Sequence, residues 1–189
     1  MRPNRICAGP RSRRPILTGL ILVGLIAAAP ASAREVVVQV DAKSGPWLPG
    51  ANRKMPFGRD AAAPLVVPGI PDMSGKVSIY PEGTTISAGN GAVDAKGVES
   101  KAVDDSKGPG GKPYPSLYTP KILYPANLHA LVAVFTDDKG VLVGRPFIVG
   151  EGARVSIPEG ARALSFGFND VDFAGNSGSL KVTIEMPDD

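Results

Sequence analysis

Cysteine is almost missing from this chain of 189 residues: the only one, Cys7, stands close to the start. The rest of the chain therefore has no thiol for a disulfide or a cysteine-ligated metal site. Histidine is equally scarce, with His129 alone. A serine or cysteine hydrolase needs a nucleophile beside a base that a third group orients. One histidine in an apolar run and no G-x-S-x-G motif argue against that class. P-loop and dinucleotide fingerprints are absent as well, so a non-enzymatic protein is expected. After Ala33 no apolar run approaches the roughly 18–20 residues of a membrane-spanning helix.

A surplus of basic charge is lacking too, once the N-terminus is set apart. Residues 1–33 read as a signal peptide. Arg2, Arg5, Arg11, Arg13 and Arg14 form a basic region, Ile16 to Ala29 is apolar, and Ala31-Ser32-Ala33 is an A-x-A cleavage site. Ser12-Arg13-Arg14-Pro15-Ile16-Leu17 is similar to a twin-arginine export signal. The expected destination is periplasmic or secreted. The leader holds 5 of the 21 basic residues and none of the 18 acidic ones, which leaves residues 34–189 at a net charge of −2. A nucleic-acid binder would need the opposite balance to neutralise phosphates.

Glycine and proline are abundant. Residues 34–189 contain 20 Gly and 15 Pro, about twice the usual share, and sustained helical spacing is absent. Short runs with period two take its place. Val36, Val38 and Val40 share one face of Arg34–Asp41. Val77 and Ile79 point inward from Lys76–Tyr80, and Thr84–Ala88 is expected beside it across Pro81-Glu82-Gly83. Leu128–Phe135, apolar on both faces apart from His129, reads as one central strand. Asp137-Asp138-Lys139-Gly140 turns it into Val141–Val149. Ala153–Ile157 is short. Ala161–Phe168 points Leu164, Phe166 and Phe168 one way, and Ser179–Met186 points Leu180, Val182, Ile184 and Met186 inward. These runs predict an all-β, antiparallel, jelly-roll-like β-sandwich of about 8–9 short strands with long Pro/Gly-rich loops. Residues 34–189 are read as a single domain, with 42–75 and 90–120 irregular.

The most informative loop is Asn169-Asp170-Val171-Asp172-Phe173-Ala174-Gly175-Asn176-Ser177-Gly178-Ser179, between two strands. Asn169, Asp170, Asp172 and Asn176 offer side-chain oxygens of the kind that Ca²⁺ takes in sets of six to eight. Asp170 ends a strand at a loop, so its side chain is expected outside the core. The loop is not an EF-hand, because Lys181 stands where the bidentate Glu belongs. Asn, Asp, Gly and Ser are also ordinary turn residues, so a polar turn is the alternative. His129 is expected as a packed, hydrogen-bonded core residue. Asp104-Asp105 and Asp137-Asp138 read as solvated turns. Trp47, Tyr80, Tyr114, Tyr118 and Tyr124 are either sugar-stacking faces or core and loop anchors.

Several of these segments together resemble the calcium-dependent galactophilic bacterial lectins of the PA-IL type. The carriers are Leu164, Phe166, Asn169, Asp170 and Val171 at a strand end, and the Asn176–Ile184 run "NSGSLKVTI". Ile79-Tyr80-Pro81-Glu82-Gly83, Ile86-Ser87-Ala88-Gly89 and Ala130-Leu131-Val132 add to them. The resemblance covers roughly residues 75–186. It implies one Ca²⁺ on Asp170 and Asn176, with Asp172 as an added ligand and a backbone carbonyl at or near Val93. It also implies a carbohydrate, galactose-like or another glycan, lying against Asp170, Val171 and Asn176. Tyr114 and Leu117 replace the family's sugar-contacting His and Gln. The loop is two residues shorter than in the family, and Gly175 stands where a second Asn is frequent. The resulting expectation is an exported, calcium-dependent, lectin-like protein. The alternative is a structural or protein-interaction module of the cell envelope, without metal or sugar.

Overall fold

Two four-stranded antiparallel sheets face one another. The computed structural model describes residues 33–53, 58–71, 75–103, 126–170 and 172–187, and the side chains of 100–103 are left aside. Residues 1–32 of the expected signal peptide, Tyr114, Leu117, Tyr118, Tyr124, Asp104-Asp105 and Val171 lie outside the described residues. Twelve strands run in chain order: β1 Ala33–Asp41, β2 Leu65–Pro68, β3 Lys76–Glu82, β4 Thr85–Ser87, β5 Gly91–Val93, β6 Val98–Val103, β7 Ala126–Leu128, β8 Leu131–Thr136, β9 Leu142–Ile148, β10 Ala153–Ser156, β11 Ala163–Phe168 and β12 Ser179–Pro187. The all-β antiparallel architecture is as the alternation predicts, with twelve strands among the described residues in place of eight or nine.

The first sheet has the order β1-β12-β3-β10 and the second β2-β11-β8-β9; β4-β5 and β6-β7 form two ribbons. The period-two residues meet between the sheets. Val77, Ile79, Leu180, Val182 and Ile184 from one sheet and Leu131, Leu164, Phe166 and Phe168 from the other are fully buried. Each such side chain contributes about 1.5–3 kcal/mol on leaving water.

Three expectations about strands change. Thr85–Ser87 does not pair with β3 but with β5, Thr85 opposite Val93. β3 continues through Pro81 and Glu82 against β12, and the chain leaves the sheet at Gly83, whose φ is +99°. The expected single strand from Leu128 to Phe135 is two strands, β7 and β8. His129 breaks it with φ +57°, a left-handed conformation that ends the pleat. The irregular stretches also hold short strands: β2 lies in the first, β5 and β6 in the second.

The stretch 42–53 has a packing role. β8 is buried on both faces, so something must cover its outer side. Phe168 donates its N–H to Ser44 O at 2.8 Å, and Ser165 Oγ donates to Pro46 O at 2.8 Å. A Cβ on Gly167 would strike the backbone of Gly45 and Pro46. At its far end Asn52 Nδ2 donates to Gly140 O at 2.9 Å, in the β8–β9 turn. The segment therefore crosses from β11 to that turn over β8. Trp47 lies between the two anchors at 1% exposure, which makes it an anchor of the cover and not a free stacking face.

Turns are fixed by side-chain acceptors. Asp137 Oδ1 accepts the N–H groups of Lys139 and Val141, each at 2.9 Å, in the predicted hairpin turn. Lys96 binds Glu99 at 3.1 Å and Glu151 at 3.3 Å, with Asp94 at 3.7 Å. The hydrogen bonds to Glu99 and Glu151, with the charge of Asp94, push its ammonium up to about 12.

Candidate functional site

The end of β11 is where polar groups enter the core. Phe168 is the last residue of the strand. Asn169 continues the backbone pairing: its N–H donates to Ala130 O at 2.8 Å and its carbonyl accepts His129 N–H at 2.6 Å. These two bonds hold His129 at the break between β7 and β8. Its imidazole stacks on Phe168, with ring centroids 4.4 Å apart and planes 14° from parallel.

Three further polar side chains meet that ring. His129 Nδ1 is 3.0 Å from Asp170 Oδ2, and Nε2 is 3.1 Å from Thr85 Oγ1. Asn176 Nδ2 donates to Asp170 Oδ2 at 3.0 Å, while its Oδ1 accepts the N–H of Ala88 at 2.9 Å. A carboxylate only accepts, so the Nδ1 proton points to Asp170, and in the neutral ring Nε2 accepts the Thr85 hydroxyl. The Asn176 amide, 3.4 Å from Nδ1, is directed to the carboxylate instead. All four groups are buried: Thr85 and Asn176 at 1% exposure, His129 at 0% and Asp170 at 5%. The expectation of an outward Asp170 is thereby corrected. Its strand ends over the β7–β8 break, where the imidazole and the Asn176 amide draw the carboxylate inward.

The network ties separate parts of the chain together. Ile86 and Ser177 exchange backbone hydrogen bonds at 2.8 and 3.1 Å, so β4 lies along the loop that Asn176 anchors. Gly97 passes so close to the β7–β8 break that a Cβ there would sit 2.8 Å from the His129 carbonyl carbon. Its φ of +76° is a second reason for glycine.

Of the residues that the sequence singles out, Asp170 and Asn176 come together, and Asp172 does not join them. Asp172 Oδ2 pairs with the guanidinium of Arg59, while Oδ1 accepts the Ala174 N–H at 3.0 Å. The Arg59 hydrogen bond and the Ala174 N–H hold the Asp172 carboxyl below the usual carboxylate range. Asp170 Oδ1 accepts the Asp172 N–H at 3.2 Å. Val93 stands on β5 opposite Thr85. Asn169 Oδ1 is buried without a partner, although its Nδ2 donates to Asn127 O at 2.9 Å. Among the described residues no group of three or more His, Cys, Asp and Glu side chains converges as metal ligands would.

Sequence reasoning placed His129 in the core but did not connect it to Asp170. Nothing in the sequence marked Thr85, Ala88 and Arg59 as partners of this cluster, because contacts across 44 to 113 positions leave no local pattern. The order hydroxyl, imidazole, carboxylate is that of a hydrolytic triad. Here the hydroxyl and the ring are sealed from solvent, so the arrangement can orient and hold protons but does not present an open nucleophile. A separate groove of about 400 Å³ lies on the outer side of the second sheet, between Leu48, Val66, Ile70, Arg162 and the Asp137–Gly140 turn. It shares no residue with the His129 cluster.

No family model, no curated protein and no solved structure matches this chain.

Proposed function

We propose that the chain is an exported β-sandwich interaction module of the cell envelope, whose Asn169–Ser179 loop is held by a buried imidazole and not by a cation. The observation that carries this reading is the use of the loop's oxygens. Asp170 Oδ2 is taken by His129 and Asn176, Asp170 Oδ1 by the Asp172 N–H, Asn176 Oδ1 by Ala88, and Asp172 by Arg59 and Ala174. Calcium needs six to eight oxygens at about 2.3–2.6 Å, and each of these would have to leave an internal partner first. The imidazole supplies an N–H donor beside the carboxylate that a metal would otherwise neutralise. Export rests on the basic, apolar and A-x-A pattern of residues 1–33.

A second reading, calcium-assisted carbohydrate binding of the PA-IL type, draws on two observations. Asp170 and Asn176 lie side by side, and Asn169 Oδ1 is an oxygen without a donor. In that reading the ring of His129 yields its place to Ca²⁺, which takes glycan hydroxyls.

Thermal melting in millimolar CaCl₂ and in EDTA separates the two. A cation that binds only the folded state adds about 2.7 kcal/mol at a hundredfold excess over Kd. Coincident curves support the imidazole-held module. A rise of several degrees with calcium overturns it in favour of the lectin reading, and a glycan array with and without calcium then finds the sugar.

A further inference from the structure

Every open sheet ends in strands whose outer N–H and C=O groups lack a neighbour, and proteins usually blunt such edges. Among the described residues the two four-stranded sheets have four edges, and three of these are blunted. β2 has four residues and ends in Pro68. β9 contains Pro146 and a Gly144 with φ +77°, and its pairing to β8 shifts register. β10 has only four residues.

β1 is different. It is nine residues long, has no proline and runs in unbroken register against β12, from Ala33 opposite Pro187 to Asp41 opposite Ser179. Among the described residues its other side pairs with nothing. Val37 points outward and is 50% exposed. Val36 and Val38 point inward yet stay only partly buried against the core, so the sandwich is incompletely closed at this edge.

We propose that β1 pairs antiparallel with β1 of a second copy of this chain, about a two-fold axis at Val37. Val37 is the centre of Arg34–Val40, so this register pairs each of these residues and does not depend on Ala33, the last residue of the expected signal peptide. It sets Val37 against Val37, Glu35 against Gln39, Val36 against Val38 and Arg34 against Val40. No like charges stand opposite one another, which is the condition that cross-strand pairs impose. The two sheets become one of eight strands, within the usual range. On its outer face Tyr80, Thr183 and Val37 already lie in one row across β3, β12 and β1, and the axis continues that row into the second copy. On its inner face Val36 and Val38 are covered by their counterparts. The pairing is independent of whether the Asn169–Ser179 loop holds a cation.

A single cysteine at the axis tests the register. Paired residues in antiparallel strands have Cα atoms about 4.5–5.5 Å apart, inside the range that a disulfide spans. The full chain carrying Cys7→Ser and Val37→Cys should give a covalent dimer under mild oxidation. A control with Cys7→Ser and Lys139→Cys should not. In sedimentation equilibrium at about 100 µM, the wild type should have twice the chain mass. Val37→Lys, at a site exposed enough to keep the fold, places like charges face to face and should weaken association at least about tenfold. A monomeric wild type overturns the proposal. So does a dimer that Val37→Lys leaves intact, or cross-linking at position 37 no faster than at position 139.

Discussion

The imidazole of His129 bridges Thr85 and Asp170, with its Nδ1 3.0 Å from the carboxylate and both side chains almost fully buried. A residue in the left-handed region delivers that ring. The backbone break between β7 and β8 and the closure of the Asn169–Ser179 loop are therefore two consequences of one residue's conformation.

Removing the carboxylate should cost fold stability, not only a surface contact. Asp170→Ala leaves the Nδ1 proton of His129 and the amide of Asn176 without an acceptor in a buried site. Breaking such a pair from one side costs about 3 kcal/mol. Urea unfolding of the variant should show a midpoint lowered accordingly, with an unchanged slope. A loss below 0.5 kcal/mol would place the carboxylate in solvent.

The backbone at His129 predicts an inverted ranking. In ordinary positions Ala is better tolerated than Gly, but at φ +57° a Cβ costs about 1–2 kcal/mol. Both His129→Gly and His129→Ala lose the ring and its stack on Phe168. His129→Gly should nevertheless be the more stable of the two by about 1 kcal/mol in thermal or urea unfolding.

Thr85 isolates the other end of the network. Thr85→Val keeps the shape and removes the hydroxyl, leaving Nε2 unpaired, at a cost of about 1–3 kcal/mol. Thr85→Ser keeps the hydroxyl and should recover most of the hydrogen-bond share. Equal losses for Val and Ser would mean that the 3.1 Å contact contributes nothing.

The Arg59–Asp172 pair predicts a pH dependence. The folded-state carboxyl of Asp172 titrates below its ordinary value because Arg59 and the Ala174 N–H favour the anion. Its contribution is full above the unfolded-state value of about 3.9 and is lost as pH falls through the lowered folded value. A carboxyl-carbon NMR titration should find the Asp172 midpoint below 3.9, and Arg59→Gln should move it up. The pair is exposed, so stability at neutral pH should hardly change.

The sequence by itself determined what repeats at short range. Alternation in Leu164–Phe168 and Leu180–Met186 defines strands and their inward faces, because successive side chains on a strand point to opposite sides. Glycine and proline content excludes long helices, and Asp137 marks its own hairpin turn through its side chain. The tertiary structure decided which strands are neighbours and which polar groups meet. β4 pairs with β5 and not with β3, residues 42–53 become the cover of β8, and Asp170 turns inward to His129. The last two outcomes depend on contacts between residues 41 and 119 positions apart. The closing energy of such contacts comes from burial and hydrogen bonding in the assembled sandwich, and no local run of residues carries a trace of it.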